Sequence, residues 1–174
     1  QGRGTFVMRR PNPARFISVS ASLAELVRAY KDTRPEVVTI EEGAQTPPFL
    51  EHAGGKPARR YTFMRRVHHR DGQPYCVISI YIDQKIFKRC PKRFRTEVVI
   101  PLLTNLQGLT IAEAHQVLTI GSADMEVAKL LKLPLNAPIA EVLRMFKDEE
   151  GTLVYVAHAT YRGDAIRLEM DLKP

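Results

Sequence analysis

The side chains best equipped for chemistry here are five histidines, two cysteines and the arginines gathered between residues 56 and 95. His68-His69 invites a metal reading, with His52, His115 and His158 as further ligands. On a strand, however, adjacent side chains face opposite sides, and no HExxH or Cys/His ligand spacing is present. No metal site is expected. Cys76 lies in a β-prone run beside Val77 and Ile78, which suits a buried inert thiol better than a nucleophile. With Cys90 it forms no CxxC, and two such thiols point to reduced cysteines in a cytoplasmic protein. Gly2-x-Gly4 lacks the preceding strand, third glycine and following helix of a dinucleotide loop. Glu149-Glu150 reads as a solvated turn, and Arg162-Gly163-Asp164 as a tight turn with a left-handed glycine. Nothing assembles a nucleophile, a base and an oxyanion hole, so neither an enzyme nor a cofactor is expected.

The arginines are a different matter. Residues 56–95 hold twelve basic and two acidic side chains, a local +10 within a chain whose 26 Lys+Arg and 19 Asp+Glu give +7. Arg65, Arg66 and Arg70 are interleaved with apolar residues, and the basic segment can be a solvated face, a pocket or partner surface, or a direct DNA contact. Lys85, Lys88, Arg89, Lys92, Arg93 and Arg95 surround a Cys-Pro step and read as a solvated loop.

These groups need a scaffold. The 174 residues, 44 % hydrophobic and 26 % charged, suit one compact domain with a little extra chain. No apolar run approaches the ~20 residues that span a bilayer, and the N-terminus carries no signal-peptide core. Arg9-Arg10-Pro11-Asn12-Pro13 breaks regular structure. Ser22-x-x-Glu25 with Leu23, Leu26, Val27 and Tyr30 predicts a helix over 22–31. Val37–Ile40 reads as a short strand, and 43–57 as a Gly/Pro-rich loop. Tyr61–His69 and Tyr75–Ile82, separated by Asp71-Gly72, predict a hairpin. Thr96–Leu106 has helical spacing, with Pro101 tolerable only near its first turn and Gly108 beyond its end. A strand over Thr110–Ile120 follows, then a helix capped by Ser122 and running to Leu131, with Met125, Ala128 and Leu131 inward. Ile139–Phe146 and Leu153–Tyr161 make a second hairpin, and Ala165–Leu172 a last strand. Hairpins rather than βαβ crossovers predict an α+β fold with a mostly antiparallel sheet.

Three stretches together carry a resemblance. Gly2-Arg3-Gly4-Thr5-Phe6-Val7 resembles the last wing strand of the winged helix-turn-helix of GntR-type transcription regulators. Arg66 through Asp71-Gly72-Gln73-Pro74 resembles the first hairpin of the UTRA effector-binding domain of the HutC-like subgroup. Ala123-Asp124-x-Glu126-x-Ala128-x-Leu130-Leu131, Arg144 and Tyr161-Arg162-Gly163-Asp164 are similar to that domain's C-terminal half. The resemblance implies a chorismate-lyase-like UTRA fold over 16–174, a linker over 9–15 and a wing remnant over 1–8. It implies a cytoplasmic homodimer that binds a small effector and reads operator DNA through an N-terminal winged helix whose recognition helices this chain lacks.

Sugar-phosphate-binding members carry Arg-x-Arg on the first hairpin strand, where this chain has Arg66 and His68. Their acidic residue on the second strand falls at Ile78, their Ser-x-Tyr at Val98 and Ile100, and their penultimate-strand Glu at Tyr155. Their Tyr before Arg-Gly-Asp is kept as Tyr161. The resemblance therefore implies an effector site of Arg66, His68, Ile78, Val98, Ile100, Tyr155 and Tyr161. Its ligand would be an anion, with one carboxylate and a flat or apolar body, whose binding follows the His68 titration near pH ~6.5. Three alternatives stand beside this: Ile78, Val98 and Ile100 fill a closed core, the chain is a ligand-free dimerisation module, or it is a small lyase-like enzyme on the related fold.

Overall fold

The computed structural model describes residues 17–19, 22–30, 32–44, 47–48 and 54–168. The wing and linker assignments over 1–15, His52, and the chain after Leu168 lie outside the described residues. Strands β1 (Ile17–Val19), β2 (Arg34–Ala44), β3 (Lys56–Pro57), β4 (Tyr61–Arg70), β5 (Gln73–Asp83), β6 (Glu113–Ser122), β7 (Pro138–Lys147), β8 (Thr152–Arg162) and β9 (Ile166–Leu168) are joined by helices α1 (Leu23–Ala29), α2 (Gln84–Phe87), α3 (Pro91–Thr96), α4 (Val99–Thr104) and α5 (Met125–Leu131).

Six strands form one antiparallel sheet in the order β2-β4-β5-β8-β7-β6, and β3 adds a short parallel pairing to β8. Separately, β1 pairs β9 in parallel, Ile17 opposite Ile166. Both predicted hairpins, β4–β5 and β7–β8, are present. Asp71 and Gly72 both take positive φ at the first turn, as a two-residue loop that follows the strands' twist requires. At the second, Asp148 Oδ1 accepts the Glu150 and Thr152 amides at 3.0 and 2.8 Å.

Alternation sorts the sheet into two faces. Met64, Ile78, Ile80, Ile82, Val142, Phe146, Tyr155, Ala157 and Tyr161 share the main core with Leu26 and Tyr30 of α1, Phe87, Phe94, and Val99, Ile100 and Leu103 of α4. The other face buries Val67 and Val77 against Leu131 of α5, with a smaller Met145–Leu153–Val156 cluster beside them. Four helices thus roof one face.

Several boundaries differ from the sequence-based expectation. The basic 85–95 segment is not a loop: it holds α2 and most of α3, with Pro91 at the N-terminus of α3, where its absent N–H costs nothing. Thr96–Leu106 is broken by extended backbone at Glu97 and Val98, so only Val99–Thr104 is one helix. β2 is longer than Val37–Ile40, and its two register shifts, between Val37 and Thr39 and between Glu42 and Ala44, explain its weak alternation. Lys56–Pro57 within the expected 43–57 loop forms β3. Ser122 does not cap α5. The Ala123 amide and carbonyl still pair with Ala137 and Asn136, so the helix cannot start earlier, and Asp124 Oδ1 caps it by accepting the Val127 N–H at 2.8 Å. Met125 consequently faces solvent, 78 % exposed, rather than inward. Gly163 opens a 3-10 turn without a left-handed φ; it is needed because a Cβ there would meet the Pro138 carbonyl oxygen at 2.7 Å.

Candidate functional site

Cross-strand pairing lays the roofed face out in rows. His68, Cys76, Tyr161 and Ala140 form one row; Arg66, Ile78, Ala159 and Val142 the next; Met64, Ile80, Ala157, Arg144 and Gln116 a third; Thr62, Ile82, Tyr155 and Phe146 a fourth. Arg66, His68, Ile78, Tyr155 and Tyr161 of the expected site are thus brought onto one face and buried, with Ile100 of α4 above them. Val98 sits at the edge as the residue preceding α4.

Two guanidinium groups lie inside this face, Arg66 at 0 % and Arg144 at 2 % exposure. Among the described residues no carboxylate is paired with either. Arg144 Nη1 donates to the Tyr161 and Tyr30 phenol oxygens at 2.9 and 3.1 Å, and those phenols are themselves hydrogen-bonded at 2.8 Å. Arg144 Nε donates to Gln116 Oε1 at 3.1 Å. Arg66 Nη1 donates to the Glu97 carbonyl oxygen at 2.7 Å, where α3 ends, and Nη2 to Met64 Sδ at 3.3 Å. Thr62 Oγ1, Arg66 Nε, both His68 nitrogens and Tyr155 Oη find no hydrogen-bond partner. Buried polar atoms are normally paired, and these five lie on the roofed face; Arg65 Nε and Arg70 Nε are likewise without partners.

The electrostatics agree. Burial pushes the Arg66 pKa down to about 10. Burial, then Arg66, Arg144 and His69, push His68 down to about 3, so its imidazole is neutral. The expected titration of His68 near pH 6.5 is corrected on that ground. Tyr30 and Tyr155 are held neutral by burial, which raises both. Burial disfavours the charge on Arg144, but the hydrogen bonds it donates to the Tyr161 and Tyr30 phenols favour it, and its pKa stays above the ordinary arginine value. Burial also drives the Cys76 thiol up to about 12, which leaves it unreactive. Among the described residues the histidines join no metal-binding group: His68 stands edge-on to Tyr30, with ring centroids 5.9 Å apart, while His69 and His158 lie near Glu36 and Glu141.

Sequence reading placed Arg66 and His68 through strand parity but assigned no site role to Arg144, Tyr30, Tyr75 or Thr33. Tyr75 stacks on Tyr161 at 6.3 Å and its hydroxyl is 2.7 Å from Thr33 Oγ1. Tyr30, at the end of α1, reaches Arg144, 114 positions away, only through the tertiary fold, although Arg144 alternating with the apolar Ala140, Val142 and Phe146 was a visible signal.

Two clefts flank α1. A cavity of about 90 Å³ runs between Ser22, Leu23 and Leu26 and the Gln116, Arg144 and Phe146 side. A wider one of about 550 Å³ is lined by Val27, Tyr30, Thr33, Glu97 and Val98. Of the expected site residues only Val98 lines either.

Among known proteins, the family model described as "UTRA domain" matches residues 28–167. Bacillus subtilis YydK, described as a possible transcriptional regulator, superposes with a TM-score of 0.71 at 16 % identity, covering 94 % of this chain and 70 % of that one. The effector domain of PhnF from Mycobacterium smegmatis gives 0.70 at 15 % identity, covering 91 % and 100 %. A GntR-family transcriptional regulator from Enterococcus faecalis gives 0.65 at 18 % identity, covering 80 % and 99 %. A search of curated proteins finds no match. The antiparallel sheet, its helical roof and the extent of the family match lead to one conclusion: the chain belongs to the UTRA domain family.

Proposed function

We propose that this domain senses a small anionic metabolite for a DNA-binding transcription regulator. The observation that carries the reading is the pair of buried guanidiniums, Arg66 and Arg144, without a carboxylate between them. A buried charge with no counter-ion costs several kcal/mol, so such a pair is well explained by an anion that completes the site. Arg66 and Arg144 would hold the anionic group. Neutral His68 and the Tyr155 and Tyr161 phenols would supply hydrogen bonds, and Ile78, Val98 and Ile100 apolar walls. A polyol phosphate fits less well, because hydroxyls turned toward the apolar Ile78, Val98 and Ile100 would find no partner, at about 1–3 kcal/mol each. A flat carboxylate fits better. The same reading assigns residues 1–8 to a wing and 9–15 to a Pro-containing linker, in a cytoplasmic protein whose operator contacts are made by an N-terminal winged helix.

Thermal melting against carboxylates, imidazole acids, aromatic acids and sugar phosphates tests this. A ligand at 100 times its dissociation constant adds ~2.7 kcal/mol, a readily visible shift. A hit among flat acids that disappears in Arg66→Ala supports the reading. A hit confined to sugar phosphates, or affinity unchanged by Arg66→Ala, overturns the assignment of these residues.

A further inference from the structure

We propose that α1 is a lid latched by its own tyrosine: the Tyr30 phenol occupies the place on Arg144 that an entering anion would take, so ligand binding evicts Tyr30 and lifts α1. The inference rests on the reading of this face as an anion site and concerns how that site opens. Arg144 is buried at 2 % exposure, and Tyr30 and Tyr161 share its Nη1. Tyr161 belongs to a central strand and cannot leave. Tyr30 is the C-terminal cap residue of a seven-residue helix and can.

Space makes the same demand. The cavity that reaches Arg144 holds about 90 Å³, whereas ligand pockets begin near ~300 Å³. The larger cleft lies on the far side of the same helix, with Tyr30 in its wall. Displacing α1 would merge the two over Arg144 and His68. A helix of this length is marginal by itself and depends on its packing. Within α1 only Leu26 is fully buried, and Tyr30 follows it; Ala24, Glu25 and Arg28 are exposed. Two further ties hold the C-terminal end: Arg70 Nη2 donates to the Ala29 carbonyl at 2.7 Å, and Thr33 Oγ1 lies 2.7 Å from the Tyr75 hydroxyl. The Arg70 tie is to the last residue of α1 and breaks as Tyr30 leaves, whereas Thr33 lies beyond the helix and suits a hinge.

The test is hydrogen–deuterium exchange and thermal melting of the whole chain, wild type and Tyr30→Phe, without anion and with millimolar benzoate or inorganic phosphate. Tyr30→Phe keeps the ring and removes the latch. Exchange over residues 23–29 should rise several-fold in Tyr30→Phe without anion, while α5 on the opposite face stays unchanged. Benzoate should raise α1 exchange in the wild type and bind Tyr30→Phe about tenfold more tightly, since it no longer competes with the phenol. Unchanged α1 exchange in Tyr30→Phe overturns the latch. Benzoate binding with α1 undisturbed or more protected, or weakened by Tyr30→Phe, also overturns the lid while leaving the anion site standing. Silence with both anions in both proteins overturns the anion site, and the lid falls with it.

Discussion

At the scale of single residues, the roofed face buries a guanidinium, Arg66, whose charge has no carboxylate partner among the described residues. Arg66→Met replaces a buried, unpaired charge with an apolar chain of similar length. Such exchanges are often neutral or stabilising by about 1–4 kcal/mol. The expected outcome is a melting temperature unchanged or raised, with anion response lost; a clear drop in melting temperature would mean that the bond to the Glu97 carbonyl matters more than the buried charge. His68 makes a second prediction. Its folded pKa of about 3 lies below its ordinary 6.5, so between those values the unfolded chain binds the proton and the folded one does not. Stability is therefore present above pH ~6.5 and falls by about 1.4 kcal/mol per unit as pH drops toward 3. Urea denaturation from pH 7 to 4 should show that slope, and His68→Phe should flatten it after correction for other groups. Parity along β4 made Arg66 and His68 readable as neighbours on one face. The depth of His68 was not readable, because its burial comes from Tyr30 and Tyr75 on separate elements.

Elements were legible where local rules act alone. The two hairpins and α1, whose Ser22 hydroxyl accepts the Glu25 amide at 3.3 Å, follow from turn and capping chemistry. Boundaries slipped where a long-range contact outvoted a local signal. The Ala123 ladder bonds moved the α5 cap from Ser122 to Asp124. Asp124→Ala should accordingly cost about 1 kcal/mol, and Ser122→Ala a few tenths at most, by chemical denaturation. Gly163 is a sharper case. Its missing side chain admits the Pro138 carbonyl, so Gly163→Ala forces β7 away from the end of β8 and should cost about 1–3 kcal/mol; an unaffected midpoint would show that this close approach is not needed.

For the molecule as a whole, the two sheet edges differ. β2 is blunted by Pro35, Glu36, Glu41, Glu42 and its register shifts. Among the described residues β6 pairs only with β7, and it offers ten residues without Pro, Lys or Arg, with Val117 44 % and Ile120 74 % exposed. Bare edges with apolar side chains pair with other strands. A second copy added along β6 is therefore the proposed route to a homodimer, and sedimentation should show Val117→Lys/Ile120→Lys monomeric with an unaltered fold. A dimer that survives both changes uses another surface. The ladder of β1 on β9 was invisible in the sequence, since it joins residues 17 and 166, a separation of 149.

That three-residue ladder has a consequence for how the domain speaks to whatever precedes it. With α1 seated, β1 ends at Val19 and Leu23 opens a helix pinned to the sheet, so β1 is tethered beside β9 at high effective concentration. Released with α1, it would search from an anchor near Thr33, on a tether several times longer, and pair less often. Occupancy of a buried anion site would thus be read at residue 17 as a dilution.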